Sequence, residues 1–108
     1  MPDIYGMIDS SSGHTKGQFF DGTTMHNVRM NIPSHPRFQA YSAKLTCENV
    51  DDLTGKEWIK PESYVGETDM SIELEGPSST ATITGLLSYP IDGKQQLFGD
   101  AVWSSQHE

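Results

Sequence analysis

The residues that could do chemistry are few and scattered. His14, His26 and His35 are separated by intervals of 12 and 9. That matches no zinc-binding spacing, and the chain has neither a cysteine pair nor an HExxH helix. No metal and no other cofactor is expected. His26 falls on the apolar side of an alternating stretch, where a hydrogen-bonded core histidine is the expected role. Asp51-Asp52 lacks the alternating oxygen ligands of an EF-hand loop and reads as a solvated turn. Cys47 is the single cysteine. It falls on the inward side of its strand, and no neighbouring cation or helix N-terminus is on hand to make it a thiolate. There is no Gly-x-Ser-x-Gly elbow, and the ten glycines are scattered rather than gathered in a phosphate-binding loop. Glu73 and Glu75 could form an acid–base pair, but two carboxylates two apart on one strand face suit a solvated surface. An enzymatic role is disfavoured.

Charge is the stronger signal. The net charge is −8 over 108 residues, and it is unevenly placed. Residues 1–47 carry Asp3, Asp9 and Asp21 against Lys16, Arg29, Arg37 and Lys44, a net +1. Residues 48–75 carry nine acids against Lys56 and Lys60, a net −7. Gripping a phosphate backbone needs Lys and Arg, so nucleic-acid binding is not expected. Trp58 and Tyr64 lie inside the acidic stretch, beside Glu67, Asp69, Glu73 and Glu75. Aromatics in an acidic surround suit a protein partner, a basic one in particular. Filling a core is the competing role for both rings.

These residues must be positioned by strands. In Asp69 to Glu75, Met70, Ile72 and Leu74 alternate with polar residues, the period of a half-buried strand. Gly76-Pro77-Ser78-Ser79 is a loop by composition. If it is, Glu75 faces Thr80, Leu74 faces Ala81, Ile72 faces Ile83 and Met70 faces Gly85, and the apolar faces coincide. Asp92-Gly93 suits a two-residue hairpin turn. A hairpin there places Ile91 opposite Lys94, Leu87 opposite Phe98 and Ile83 opposite Val102. It also sets Gly85 opposite Asp100 on the inner face. A bulge at Gly99-Asp100 that turns the aspartate outward is the preferred resolution. The alternative is a ligand pocket, or a small active site, lined by Gly85, Tyr89, Gln96 and Asp100. In the same register Leu86, Leu97 and Trp103 fall on the outer face. Cover by a second sheet is expected there, with a contact between copies in a homo-oligomer as the alternative.

The remaining strands are weaker readings: Asp3 to Ile8, Gln18 to Phe20, Thr24 to Ile32, Arg37 to Asn49, and Glu57 to Val65 near an edge because of Pro61. One helical turn around Val50 to Leu53 is the most helix expected. The fold expected is all-β: a single antiparallel domain, residues 1–108, of about seven or eight strands. A sandwich is preferred to a small closed barrel. No apolar run approaches a membrane helix, the N-terminus lacks a signal-peptide pattern, and one cysteine asks for no oxidising compartment. A cytoplasmic protein with no membrane partner is the resulting expectation. The function expected is non-enzymatic binding of another macromolecule in an inhibitor, immunity or accessory role.

Overall fold

The structure is a computed structural model that describes residues 3–10, 15–32, 38–47, 55–76, 80–91 and 93–107, the last three of them by backbone alone. Among the described residues there are ten strands and no helix. They are β1 (Asp3–Asp9), β2 (Thr15–Phe20), β3 (Thr24–Asn31), β4 (Gln39–Cys47) and β5 (Gly55–Ile59). They continue with β6 (Tyr64–Gly66), β7 (Asp69–Glu75), β8 (Thr80–Leu86), β9 (Gln95–Gln96) and β10 (Asp100–His107).

Alternation along the chain produces the inside and the outside. On β2, Thr15, Gly17 and Phe19 are buried while Lys16, Gln18 and Phe20 are exposed. On β7, Met70, Ile72 and Leu74 are buried and their neighbours are not. Wound into one antiparallel sheet, the strands close on themselves in the order β5-β10-β3-β2-β1-β4-β8-β7, with a β7–β5 pairing completing the ring. β6 and β9 continue the lines of β5 and β10 and pair with each other. The winding is a Greek key made twice. β4 returns beside β1 to give β4-β1-β2-β3, and β10 returns beside β5 to give β10-β5-β7-β8.

Of the two architectures open to the sequence, the barrel is therefore the one formed, against the preference for a sandwich. An eight-stranded barrel is just wide enough for side chains to fill. Phe19, Phe38, Ile8, Leu45, Met70, Ile72, Leu74, Ile83 and Leu97 fill this one, each essentially inaccessible. Gly17 makes room among them: a Cβ there would lie 2.4 Å from Ile8 Cδ1 and 2.7 Å from Val28 Cγ1.

The β7–β8 hairpin has the expected register throughout, from Glu75 opposite Thr80 to Met70 opposite Gly85. The second hairpin does not form. β8 is already paired along its other edge with β4, from Ser42 opposite Leu86 to Cys47 opposite Ala81. The chain after Leu86 instead crosses the barrel end. Leu87 N–H donates to Thr68 O, Ser88 N–H to Gln39 O and Ile91 N–H to Glu67 O. It re-enters the sheet beside β6. Gly93 has the positive φ, 73°, that a turn residue needs, but the turn serves this crossover; Asp92 lies outside the described residues.

Two further expectations change with it. The strand expected from Glu57 to Val65 is no edge, since β5 and β6 are paired on both sides. Pro61 sits where Lys60 to Ser63 leave the line. Buried Ser63 repairs the break: Glu73 N–H donates to its hydroxyl at 2.8 Å and Leu97 N–H to its carbonyl at 3.0 Å. The phase of β10 is also opposite to that expected. Leu97, Ala101 and Trp103 face inward, while Phe98 and Val102 are exposed. Asp100 does turn outward, but through this phase. His14, His35, Asp51-Asp52 and the turn around Val50 to Leu53 lie outside the described residues.

Gly99 has φ of 138°, and a Cβ on it would lie 1.9 Å from the Asn31 carbonyl oxygen. Backbone cannot yield as a side-chain tip can. Gly99→Ala should therefore destabilise the protein by about 2–3 kcal/mol. The check is a lower urea midpoint at unchanged m-value.

Candidate functional site

β5 sets up the site by an inversion. Ile59 faces the core, so period-two alternation also turns Glu57 inward and Trp58 outward. Glu57 is 2 % exposed and Trp58 is 52 % exposed. A buried carboxylate is costly unless it is hydrogen-bonded. Here Trp103 Nε1–H donates to Glu57 Oε1 at 2.5 Å, and the indole is itself buried. This buried pair holds the register of β5 against β10, and with it the outward position of Trp58.

Around Trp58 the outer face of β5, β6 and β7 collects most of the residues expected to bind a partner. Trp58 stands opposite Glu75 on one side and Asp100 on the other. Tyr64 stands opposite Ser71, and its hydroxyl donates to Asp69 Oδ2 at 3.1 Å. Partial burial, together with the Asp69 carboxylate, raises the Tyr64 phenol above its ordinary 10.0. Lys94 Nζ lies 4.2 Å from the centre of the Tyr64 ring. Beside them is a shallow depression of about 330 Å³, bordered by Pro61, Glu62, Ser63 and Gln96 as well. Glu73 is half-buried on the same side, and Glu67 and Glu75 are exposed. Lys56 pairs with Asp100 at 3.2 Å and Lys60 approaches Glu75 at 3.8 Å.

The other two expected groupings are not assembled. Gly85 lies between Ala43 and Met70 in the sheet, and Asp100 between Asn31 and Trp58. Tyr89 is exposed after the end of β8, and Gln96 Nε2–H donates to the Pro61 carbonyl. The four do not line one pocket. Leu97 and Trp103 are core residues, and only Leu86 of the expected subunit contact is outside, at 70 % exposure. A charge at Leu97 would therefore strike the core instead of an interface.

His26 is buried, as expected of it, and its Nε2 lies 2.9 Å from Asp21 Oδ2. Its Nδ1 has no hydrogen-bond partner among the described residues. Cys47 is buried among apolar groups. Among the described residues no cluster of three metal-ligating side chains occurs and no helix is long and apolar enough to cross a membrane. Glu57 is the residue that sequence reasoning missed. Its signal was present in the alternation from Ile59, and its charge hid it. Comparison with known families, with curated proteins and with solved structures finds no significant match to any of them.

Asp21 also accepts hydrogen bonds from the N–H groups of Thr23 and Thr24 at 2.9 and 2.8 Å. The His26 hydrogen bond first, and these two after it, lower its carboxyl from 3.8 to about 2. A depressed carboxyl stabilises the fold above the unfolded value and loses that contribution as pH falls through the folded one. Asp21→Asn should lower the melting temperature at pH 7. It should also flatten the loss of stability between 3.8 and about 2, as followed by thermal melts across that range.

Proposed function

We propose that this barrel is a non-enzymatic binding protein that docks another protein on the outer face of β5, β6 and β7, with Trp58 as its anchor. One observation carries the reading: β5 gives a core position to Glu57 and an outer position to Trp58. Folding on its own favours the reverse, because indole burial is favourable and carboxylate burial is not. Tryptophan is among the residues that dominate binding energy at the centre of interfaces. Exposed Phe98, just before β10, and Val102 on β10 extend the apolar surface.

The chemistry of the partner follows from the rim. Glu62, Glu67, Asp69, Glu73 and Glu75 outnumber Lys56 and Lys60 on these strands and their connections, even with Lys94 of the β8–β9 connection beside them. A partner with an apolar pocket for the indole and a basic border is complementary to that. A net charge of −8 would also steer such a partner toward encounter. β5, β6 and β7 are each paired on both sides, so strand addition to them is not available and recognition on this face rests on side chains. An inhibitor, immunity or accessory protein would act in this way, including one whose carboxylates imitate the phosphates of a nucleic acid.

The test is capture of partners on immobilised wild-type protein, followed by affinity measurement with Trp58→Ala and Glu75→Lys. Trp58→Ala should weaken binding by at least about tenfold, chiefly through faster dissociation. Glu75→Lys should slow association and reduce its salt dependence. Both variants should melt within a few degrees of wild type, because neither side chain is in the core. A partner that binds both variants with wild-type affinity would overturn the reading.

A further inference from the structure

A groove of about 680 Å³ lies on the outer side of β2, β3 and β10, bordered by Lys16, Gln18, Asn27, Arg29, Val102 and Ser104. Its floor is the backbone at Gly17 and Val28, residues whose inward side is the core. Strand register arranges its borders in rows. Lys16 stands directly opposite Arg29, and Arg29 opposite Val102. One row along, Gln18 stands opposite Asn27 and Asn27 opposite Ser104. One row further, Tyr5 stands opposite Phe20 and Phe20 opposite Met25. Successive rows are two residues apart along the strands, about 7 Å. The face thus runs from cations, through amides and a hydroxyl, to an apolar strip whose Tyr5 is 66 % and Phe20 41 % exposed.

The cation row is the anomaly. Like charges directly opposite on neighbouring strands destabilise a sheet. The ion pairs His26–Asp21, Lys56–Asp100 and Lys60–Glu75 include neither Lys16 nor Arg29. Asp9 is in register with Lys16 on the far side, on β1. The chain has 15 acids for 7 lysines and arginines, yet two of the seven face each other across a groove.

We propose that this groove binds a small amphipathic anion, with a phosphate or carboxylate head between Lys16 and Arg29 and an apolar chain along Phe20, Met25 and Tyr5. Arginine offers a planar fork to two oxygens of such a head, and lysine adds a point charge. Gln18, Asn27 and Ser104 supply neutral hydrogen bonds beside it. The groove volume is that of small-molecule sites. An extended acidic peptide would look for a free strand edge, and β2, β3 and the Asp100–Trp103 part of β10 are paired on both sides. An anionic bilayer would meet the whole net charge of −8. A single molecule in the groove meets mainly charges within a Debye length, about 8 Å at physiological salt.

Calorimetric titration of the full chain with octyl phosphate, kept below its micelle-forming concentration, tests this against inorganic phosphate. Octyl phosphate should bind at least about tenfold more tightly than inorganic phosphate. Arg29→Gln should weaken octyl phosphate by about tenfold or more. Phe20→Ser should weaken octyl phosphate and leave inorganic phosphate unchanged. Lys16→Gln should also weaken binding. Arg29→Gln, which relieves the facing charges and leaves Lys16 in register with Asp9, should raise the melting temperature of the ligand-free protein; a merely structural arginine would give the opposite change. Absence of octyl phosphate binding, or affinity unchanged by Arg29→Gln, would overturn the proposal. So would binding to phosphatidylserine vesicles in place of the monomeric amphiphile.

Discussion

The molecule depends on closing its ring, and the closure is short. β5 meets β7 through Trp58 opposite Glu75 and Ile59 opposite Leu74, Lys60 N–H adds one bond to the Glu73 carbonyl, and the seam resumes through β6 after Pro61 to Ser63. A sheet of this curvature left open would present two edges of unpaired backbone groups. Buried contacts keep the seam in register. The Trp103 indole is held to Glu57 on one side of β5, and the Ser63 hydroxyl oxygen accepts from the Glu73 N–H on the other. A slip of one residue at β5 would expose Ile59 and bury Trp58, and it would break the bond to Trp103.

Closure also decides where function can reside. The interior described is filled by large apolar side chains, and both proposed sites lie on the outer wall. There the wall is divided. β5, β6 and β7 present aromatics in an acidic surround, while β2 and β3 present cations beside an aromatic strip. Val102, on β10, stands between them: Arg29 is opposite it on one side and Lys56 on the other. The charge asymmetry between the two halves of the sequence thus becomes an asymmetry between faces.

How much of this was legible depended on whether a signal was local. The β7–β8 hairpin could be read residue by residue, because two alternating strands flank one loop and only one register buries both apolar sets. The acidic aromatic face could be read for the same reason: Trp58, Tyr64, Glu67, Asp69, Glu73 and Glu75 lie close together along the chain. The Asp92-Gly93 turn misled because a local preference says nothing about competitors. β4, far away in sequence, already held the edge of β8 that the hairpin needed. That one error inverted β10, put Leu97 and Trp103 on the wrong side, and created a pairing of Gly85 with Asp100 that does not exist. Lys16 and Arg29 were invisible as a pair, since only the β2–β3 register sets them face to face.

The doubled Greek key has a consequence for how the chain is made. The first key, β4-β1-β2-β3, ends in two edges, β3 and β4. Their partners, β10 and β8, both belong to the second key. Until β8 and β10 have been made, a sheet formed by the first half would have both borders open. Exposed edges in a nascent chain invite pairing with other chains. The cations at Lys16 and Arg29 and the charge at Lys44 lie on this waiting half. Arg29 on β3 and Lys44 on β4 put one cation on each of these two edge strands, a feature that disfavours edge pairing with another chain.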